Sequence, residues 1–198
     1  MALLDGKVCI VTGAGHGIGR AHALELARHG ASVVVNDLGT SVTGDGADQK
    51  AADLTVELIA QRGGTAVASY DDVADYDAAG RLVQQAVDAF GRLDVLVNNA
   101  GIVRDGAIWN MSEADFDAVI RVHLKGTWAP SHHAARHWRA RAKAGERFTG
   151  RIINTTSGAG LVGNFGQSNY ATAKAGIAGL TQTLSLELAK LGVTVNAV

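Results

Sequence analysis

The chain has 198 residues, 47% of them apolar and 19% charged, a balance that suits one globular domain and excludes a disordered or fibrous chain. Glycine occurs 25 times and proline once, so the glycines serve tight backbone turns, not flexible linkers. The 18 Lys and Arg residues nearly balance the 19 Asp and Glu residues, which argues against nucleic acid or an anionic membrane as partner and for a small molecule.

Asp5, Gly6 and Lys7 interrupt the first apolar residues before a secretory segment can form, and no run approaches the roughly 18 apolar residues of a membrane span. The reading is a cytoplasmic chain without a membrane partner. A first strand is predicted over residues 7–12 (KVCIVT). It holds the single cysteine, Cys9, which reads as a buried, inert thiol without a disulfide partner.

TGAGHGIG, residues 12–19, follows directly and opens a helix over residues 17–29. A strand-to-helix turn this tight needs residues without a Cβ, and the amides at the helix start attract a pyrophosphate. The G-x-G-x-x-G spacing is not met, because the sixth position from Gly13 is Ile18. What is met is T-G-x-x-x-G-x-G through Thr12, Gly13, Gly17 and Gly19, with Gly15 and His16 between. The second strand, residues 32–36, leads into Asp37, placed where an acidic side chain accepts from the adenosine ribose hydroxyls. A carboxylate there repels a 2′-phosphate, so NAD(H) is expected over NADP(H).

A polar, Gly-rich loop over residues 38–50 reads as a solvated excursion. Beyond it, a helix over 47–62, a strand over 65–69, a helix over 75–90 and a strand over 93–98 continue the alternation. Helices over 112–125 and 126–143, a strand over 151–155, a helix over 168–191 and a strand over 193–198 complete it. Such alternation indicates an α/β fold, a doubly wound parallel sheet in a three-layer α/β/α Rossmann arrangement. Near-continuous apolar strands suit coverage on both faces. Ser112, with Asp115 three residues on, reads as a helix cap.

The basic stretch from Arg136 to Arg151 lacks the aromatic platform of single-strand binders, so nucleic acid is not expected. His133 and His137 have no further ligand at suitable spacing, and no metal site is expected. Tyr170 and Lys174, four apart, share a helix face. A tyrosine ordinarily titrates near 10, and a neighbouring ammonium favours its phenolate, which makes an acid/base for a carbonyl or an alcohol. Ser157, in NTTSGAG, reads as a hydroxyl donor to the substrate oxygen, with Thr155 and Thr156 as nearby alternatives.

TGAGHGIG, the NNAG of residues 98–101, Ser157 and the YATAK of residues 170–174 together resemble the short-chain dehydrogenase/reductase family from Lys7 to the last residue. The resemblance implies that Ser157, Tyr170 and Lys174 are catalytic and that Tyr170 and Lys174 also hold the nicotinamide ribose. It implies that Asn99, Ala100 and Gly101 line the cofactor channel and that Asp71 and Asp72 lie at the adenine. It further implies a homodimer or homotetramer. Where the family usually carries a catalytic asparagine, this chain has His123.

VVVNDLG, RVHLKG and GNFGQSNYATAKAG are similar to the (3R)-hydroxyacyl-CoA dehydrogenase units of peroxisomal multifunctional β-oxidation enzymes, which implies 3-hydroxyacyl or 3-oxoacyl thioesters as substrates. The alternatives are an NADPH-dependent 3-oxoacyl-carrier-protein or carbonyl reductase, or a non-catalytic nucleotide-binding member. Trp109, Met111, Trp128 and Phe165 are open between pocket and core. Because the motif register stops at VNAV, residues 1–198 are expected to be a single Rossmann domain lacking the family's C-terminal lid and seventh strand.

Overall fold

The computed structural model describes residues 2–46 and 50–198. Residues 47–49 of the predicted second helix lie outside them. Six parallel strands form one sheet: β1 (Val8–Thr12), β2 (Ser32–Asn36), β3 (Thr65–Ser69), β4 (Val95–Asn98), β5 (Gly150–Asn154) and β6 (Val193–Ala197). Their spatial order is β3-β2-β1-β4-β5-β6, so the direction of winding reverses between β1 and β4. Ligands of open α/β sheets bind at such a switch point, beyond the carboxyl ends of the strands.

The helices are α1 (Gly17–Arg28), α2 (Lys50–Gln61), α3 (Tyr76–Phe90), α4 (Glu113–Ile120), α5 (Gly126–Lys143), α6 (Ala159–Val162) and α7 (Ser168–Leu188). Successive strand residues point to opposite faces, and two apolar layers result. Val8, Ile10, Val34, Leu96 and Ile152 pack with Leu82 of α3, Trp138 of α5 and Leu188 of α7. Cys9, Val11, Val33, Val35 and Val97 pack with Ala23 and Ala27 of α1 and Ile59 of α2. Burial, with Asp94 nearby, pushes the Cys9 thiol up to about 12, as an inert core residue requires.

The expectation of strands covered on both faces holds for β1, β2 and β4 but not for β5 and β6, where Arg151, Thr194 and Asn196 are exposed. Among the described residues α1 and α2 cover only the β1–β4 side of that face. Local signals place the helix ends well. The Asp75 carboxylate accepts from the Ala78 amide at 2.7 Å and the Ser112 hydroxyl from the Asp115 amide at 3.1 Å.

The predicted break between residues 125 and 126 is no break. Arg121–Lys125 form a single π-helical turn that joins α4 to α5 in one helical run. Such a turn inserts a residue into the i→i−4 ladder and recurs at functional sites; here it carries His123. The short helix α6 falls between the predicted strand over 151–155 and helix over 168–191, where no element is predicted.

Asp94, just before β4, is 1% exposed and fastens the sheet. It accepts from the Val8 amide at 2.9 Å and from Arg92 through Nε at 2.8 Å and Nη2 at 2.7 Å.

Candidate active site

The crevice at the switch point has a volume of about 750 Å³, within the range that encloses small molecules and cofactors. Its floor is Gly13, His16, Gly17, Ile18 and Gly19, and Asn36, Asp37, Asp71, Asp72, Asn99 and Gly101 also line it. The floor is shaped by missing side chains. A Cβ on Gly13 would stand 2.8 Å from Ala100 Cα, and one on Gly17 (φ +49°) would project into open space.

Asn99 clasps the loop from beneath, its Nδ2 donating to the carbonyls of Thr12 at 3.0 Å and Gly13 at 3.1 Å. The Thr12 hydroxyl accepts from the Asn99 and Ala100 amides at 2.9 and 3.0 Å. On the outer side the Thr55 hydroxyl donates to the Ala14 carbonyl at 3.0 Å, and Arg20 bonds the Gly15 carbonyl. Carbonyls are thus occupied by protein. These residues fit a dinucleotide whose pyrophosphate lies at the start of α1.

Asp37 is nearly buried, and its carboxylate accepts from the Gly15 amide at 2.7 Å and the Gly39 amide at 2.8 Å. A carboxylate offers about four acceptor positions, so capacity for ribose hydroxyls remains. Gly15 itself stands behind Asp37 and not on the crevice wall, and a Cβ there would lie 2.6 Å from Asp37 Oδ2. Ala100 likewise faces the core beside β4. The short side chains of both residues allow the neighbouring backbone to approach, so each braces the loop. Asp71 pairs with Arg81 at 2.9 Å, and Asp72 pairs with Arg121 and caps the Ala74 amide at 2.8 Å. The two are on the crevice wall with their charges already compensated.

Ser157, Tyr170, Lys174 and His123 cluster beside Gly101, which the His123 ring packs against. The Lys174 Nζ donates to the Thr155 carbonyl at 2.6 Å and stands 5.5 Å from the Tyr170 ring centroid. Burial pulls Lys174 down to about 8. Ser157 is held between two contacts with the same helix. Thr155 precedes it, and Gly160 follows it so tightly packed on α7 that a Cβ there would be 2.7 Å from the Ala175 amide nitrogen. The Ser157 hydroxyl accepts from the Ala159 amide at 3.2 Å.

His123 is 3% exposed and stands edge-on to the Tyr170 ring, with centroids 5.1 Å apart. Its Nε2 lies 3.1 Å from the Ile102 amide and 2.7 Å from the Ile102 carbonyl, while Nδ1 is buried without a partner. Burial first, then the Lys174 charge, lowers His123 to about 4, so the ring is neutral at neutral pH. Gly101 has no room for a side chain because this ring fills the space.

Sequence reasoning missed the polar frame under the site. Asn98 Nδ2 donates to Ser131 Oγ and to Asn154 Oδ1, each at 2.9 Å, and Asn154 Nδ2 donates to Thr181 Oγ1 at 2.9 Å. Asn98 and Asn154 are register partners at the ends of β4 and β5, a relation that no local pattern reveals.

Of the four open residues, Trp128 rests on Tyr76 of α3, away from the site. Trp109 and Phe165 are 73% and 81% exposed and meet edge-on at 6.3 Å, so core packing does not account for them. Their loops are joined by a bond from the Gly106 amide to the Gly166 carbonyl at 2.8 Å, and Met111 Sδ accepts from Ser168 Oγ at 3.2 Å at the start of α7. His133 bonds the Tyr76 carbonyl at 2.9 Å and His137 is half-buried. Among the described residues no three His, Cys, Asp or Glu side chains gather to hold a metal, and no helix is long and apolar enough to cross a membrane.

Comparison with known proteins agrees with this arrangement. The chain is 53% identical over 181 residues to peroxisomal multifunctional enzyme A of Dictyostelium discoideum, covering 91% of this chain and 39% of that protein. It is 47% identical over 200 residues to the hydroxyacyl-CoA dehydrogenase ChsB1 of Mycobacterium tuberculosis, covering 98% of this chain and 61% of that one. The chain therefore spans less than two thirds of the length of either relative. The crystal structure of a short chain dehydrogenase from Mycobacterium avium superposes with a TM-score of 0.93 at 58% identity, covering 98% of this chain and 67% of that one. The sequence model of the family described as short chain dehydrogenase matches residues 7–198, and the chain belongs to that family.

Proposed function

We propose that this protein interconverts a secondary alcohol and a ketone with NAD(H), and that its substrates are 3-hydroxyacyl and 3-oxoacyl thioesters. The observation that carries the reading is the buried Lys174 ammonium beside the Tyr170 ring, next to a crevice built for a dinucleotide. Asp37, at the end of β2, supports NAD(H) over NADP(H), since a 2′-phosphate would meet its carboxylate. The thioester substrate draws support from the names of the relatives, a multifunctional enzyme and a hydroxyacyl-CoA dehydrogenase.

A nicotinamide cofactor, when bound, supplies or accepts the hydride. In the oxidative direction Tyr170 takes the alcohol proton as the carbinol C–H bond breaks; in reduction it returns that proton to the carbonyl oxygen. Lys174 places a positive charge beside the ring that becomes negative. Ser157 donates a hydrogen bond to the same oxygen. Neutral His123 holds the Ile102 backbone and the edge of the tyrosine ring in place. The cytoplasmic expectation finds no support in the relatives, of which the Dictyostelium protein is named peroxisomal.

The test is Tyr170→Phe, assayed with a panel of 3-hydroxyacyl thioesters and simple secondary alcohols, with NAD and NADP side by side. Turnover with NAD is expected to fall by a factor of about 10³ or more, with the dissociation constant for NADH unchanged. Unimpaired turnover removes the acid/base role, and a preference for NADP removes the assignment to Asp37.

A further inference from the structure

The loop after β2 is largely exposed, as its composition indicates, yet it is bonded to the residues that follow β4. The Val103 amide donates to the Val42 carbonyl at 2.8 Å, and Arg104 Nε donates to the Thr43 carbonyl at 2.9 Å. Arg104 Nη2 also reaches Asp45 Oδ1 at 3.6 Å. Because β1 lies between β2 and β4 in the sheet, any link from the residues after β2 to those after β4 passes over the loop after β1. That loop is the glycine-rich floor. Leu38, Ser41 and Val42 on one side and Ile102 and Arg104 on the other are walls of the same crevice.

The two partners in this link differ in how firmly they are held. Residues 41–45 form a self-contained turn. The Ser41 amide donates to the Asp45 carbonyl at 2.8 Å, the Gly44 amide to the Ser41 carbonyl at 2.9 Å, and the Thr43 hydroxyl to Asp45 Oδ2 at 2.8 Å. Gly39 (φ +80°) and Gly46 (φ +85°) flank it with left-handed backbone, which suits glycine and sets the turn off from the chain on either side. Arg104 is rooted in the catalytic layer. Its Nη1 donates to Asp115 Oδ1 of α4 at 3.1 Å, and its carbonyl accepts from Asn169 Nδ2 at 2.8 Å, while Asn169 Oδ1 accepts from the Tyr170 amide at 2.7 Å.

We propose that residues 38–46 are a strap that closes over the bound dinucleotide and that Arg104 is its latch, a positioning residue that sets how long the cofactor stays. Release requires the bonds from Arg104 and Val103 to the strap to break together, while the Tyr170 end of the link stays in place. The inference rests on the proposal that a dinucleotide occupies the crevice.

The experiment is displacement of NADH by excess NAD from the full-length protein, followed by the loss of NADH fluorescence in a stopped flow. Arg104→Gln keeps the packing of the stem and loses the charge-assisted bonds; NADH release is expected to become about tenfold faster. Arg104→Lys retains the charge without the fork and should fall between the two. As a readout independent of any variant, hydrogen exchange at the Val103 amide of the unaltered protein should slow by about tenfold or more when NADH binds. Release from Arg104→Gln within about twofold of the unaltered protein, or Val103 exchange unaffected by NADH, overturns the latch while leaving dinucleotide binding intact. Failure of the unaltered protein to bind NADH overturns both.

Discussion

Replacing His123 by glutamine removes a titration that the fold makes costly. In an unfolded chain this histidine takes up its proton near 6.5, but burial and the Lys174 charge lower it to about 4 in the native protein. As the pH falls, the unfolded chain is protonated first and is favoured. The stability linked to His123 is therefore fully present above pH 6.5, is lost as the pH falls toward 4, and loses nothing more below that. With 1.36 kcal/mol per unit, the full loss is about 3 kcal/mol, of which about 2 kcal/mol has gone by pH 5. No discount for solvent screening applies to a ring that is 3% exposed.

The assay is urea unfolding at pH 7 and pH 5 of the unaltered protein and of His123→Gln. The glutamine amide can still meet the Ile102 backbone, and carboxylates and the other histidines titrate in both proteins, so the difference in pH dependence isolates His123. The unaltered protein should lose about 2 kcal/mol more than the variant over that interval. Parallel losses, within about 0.5 kcal/mol, would show that His123 is already protonated or solvated in the fold and would refute the reasoning.

Gly15→Ala sets a methyl group 2.6 Å from Asp37 Oδ2 and 2.7 Å from Ala51 Cβ. The loop and the Asp37 carboxylate must separate, so, with a dinucleotide in the crevice as proposed, the dissociation constant for NADH should rise by about tenfold or more, measured by fluorescence titration. Asp94→Ala strips the Val8 amide and Arg92 of their acceptor on a buried strand end. Thermal unfolding should register a loss of about 2 to 3 kcal/mol, with the cofactor preference unchanged.

Legibility from sequence followed the range of the interaction. The six strands could be read because β-branched runs bounded by glycine leave a local pattern, and Tyr170 with Lys174 because four residues make one helical turn. The π turn at His123 could not, since one inserted residue rotates the apolar stripe by about 100°, which reads as one helix ending and another beginning. Arg104 falls in none of the motifs, and the residues it bonds read only as a polar loop, because the contact between them depends on the sheet order. That Gly15 packs against Asp37 and Ala100 against the core could not be read from their motifs, because only the backbone path shows it. Trp109 and Phe165 were ambiguous because an aromatic residue reads alike in a core and on an open rim.

The bond from the Val8 amide to Asp94 spans 86 positions of sequence, and this has a consequence for the order of events during synthesis. Residues 8–36, including the entire glycine-rich loop, leave the ribosome long before the strand that must lie against β1. Until β4 arrives, β1 can pair only with β2, Cys9 and Val11 lack one neighbour, and Asn99 is not there to clasp the loop. Closing so long a separation is slow relative to local structure. The crevice is therefore a late product of folding, and a nucleotide added to a nascent chain that ends before β4 finds no formed crevice.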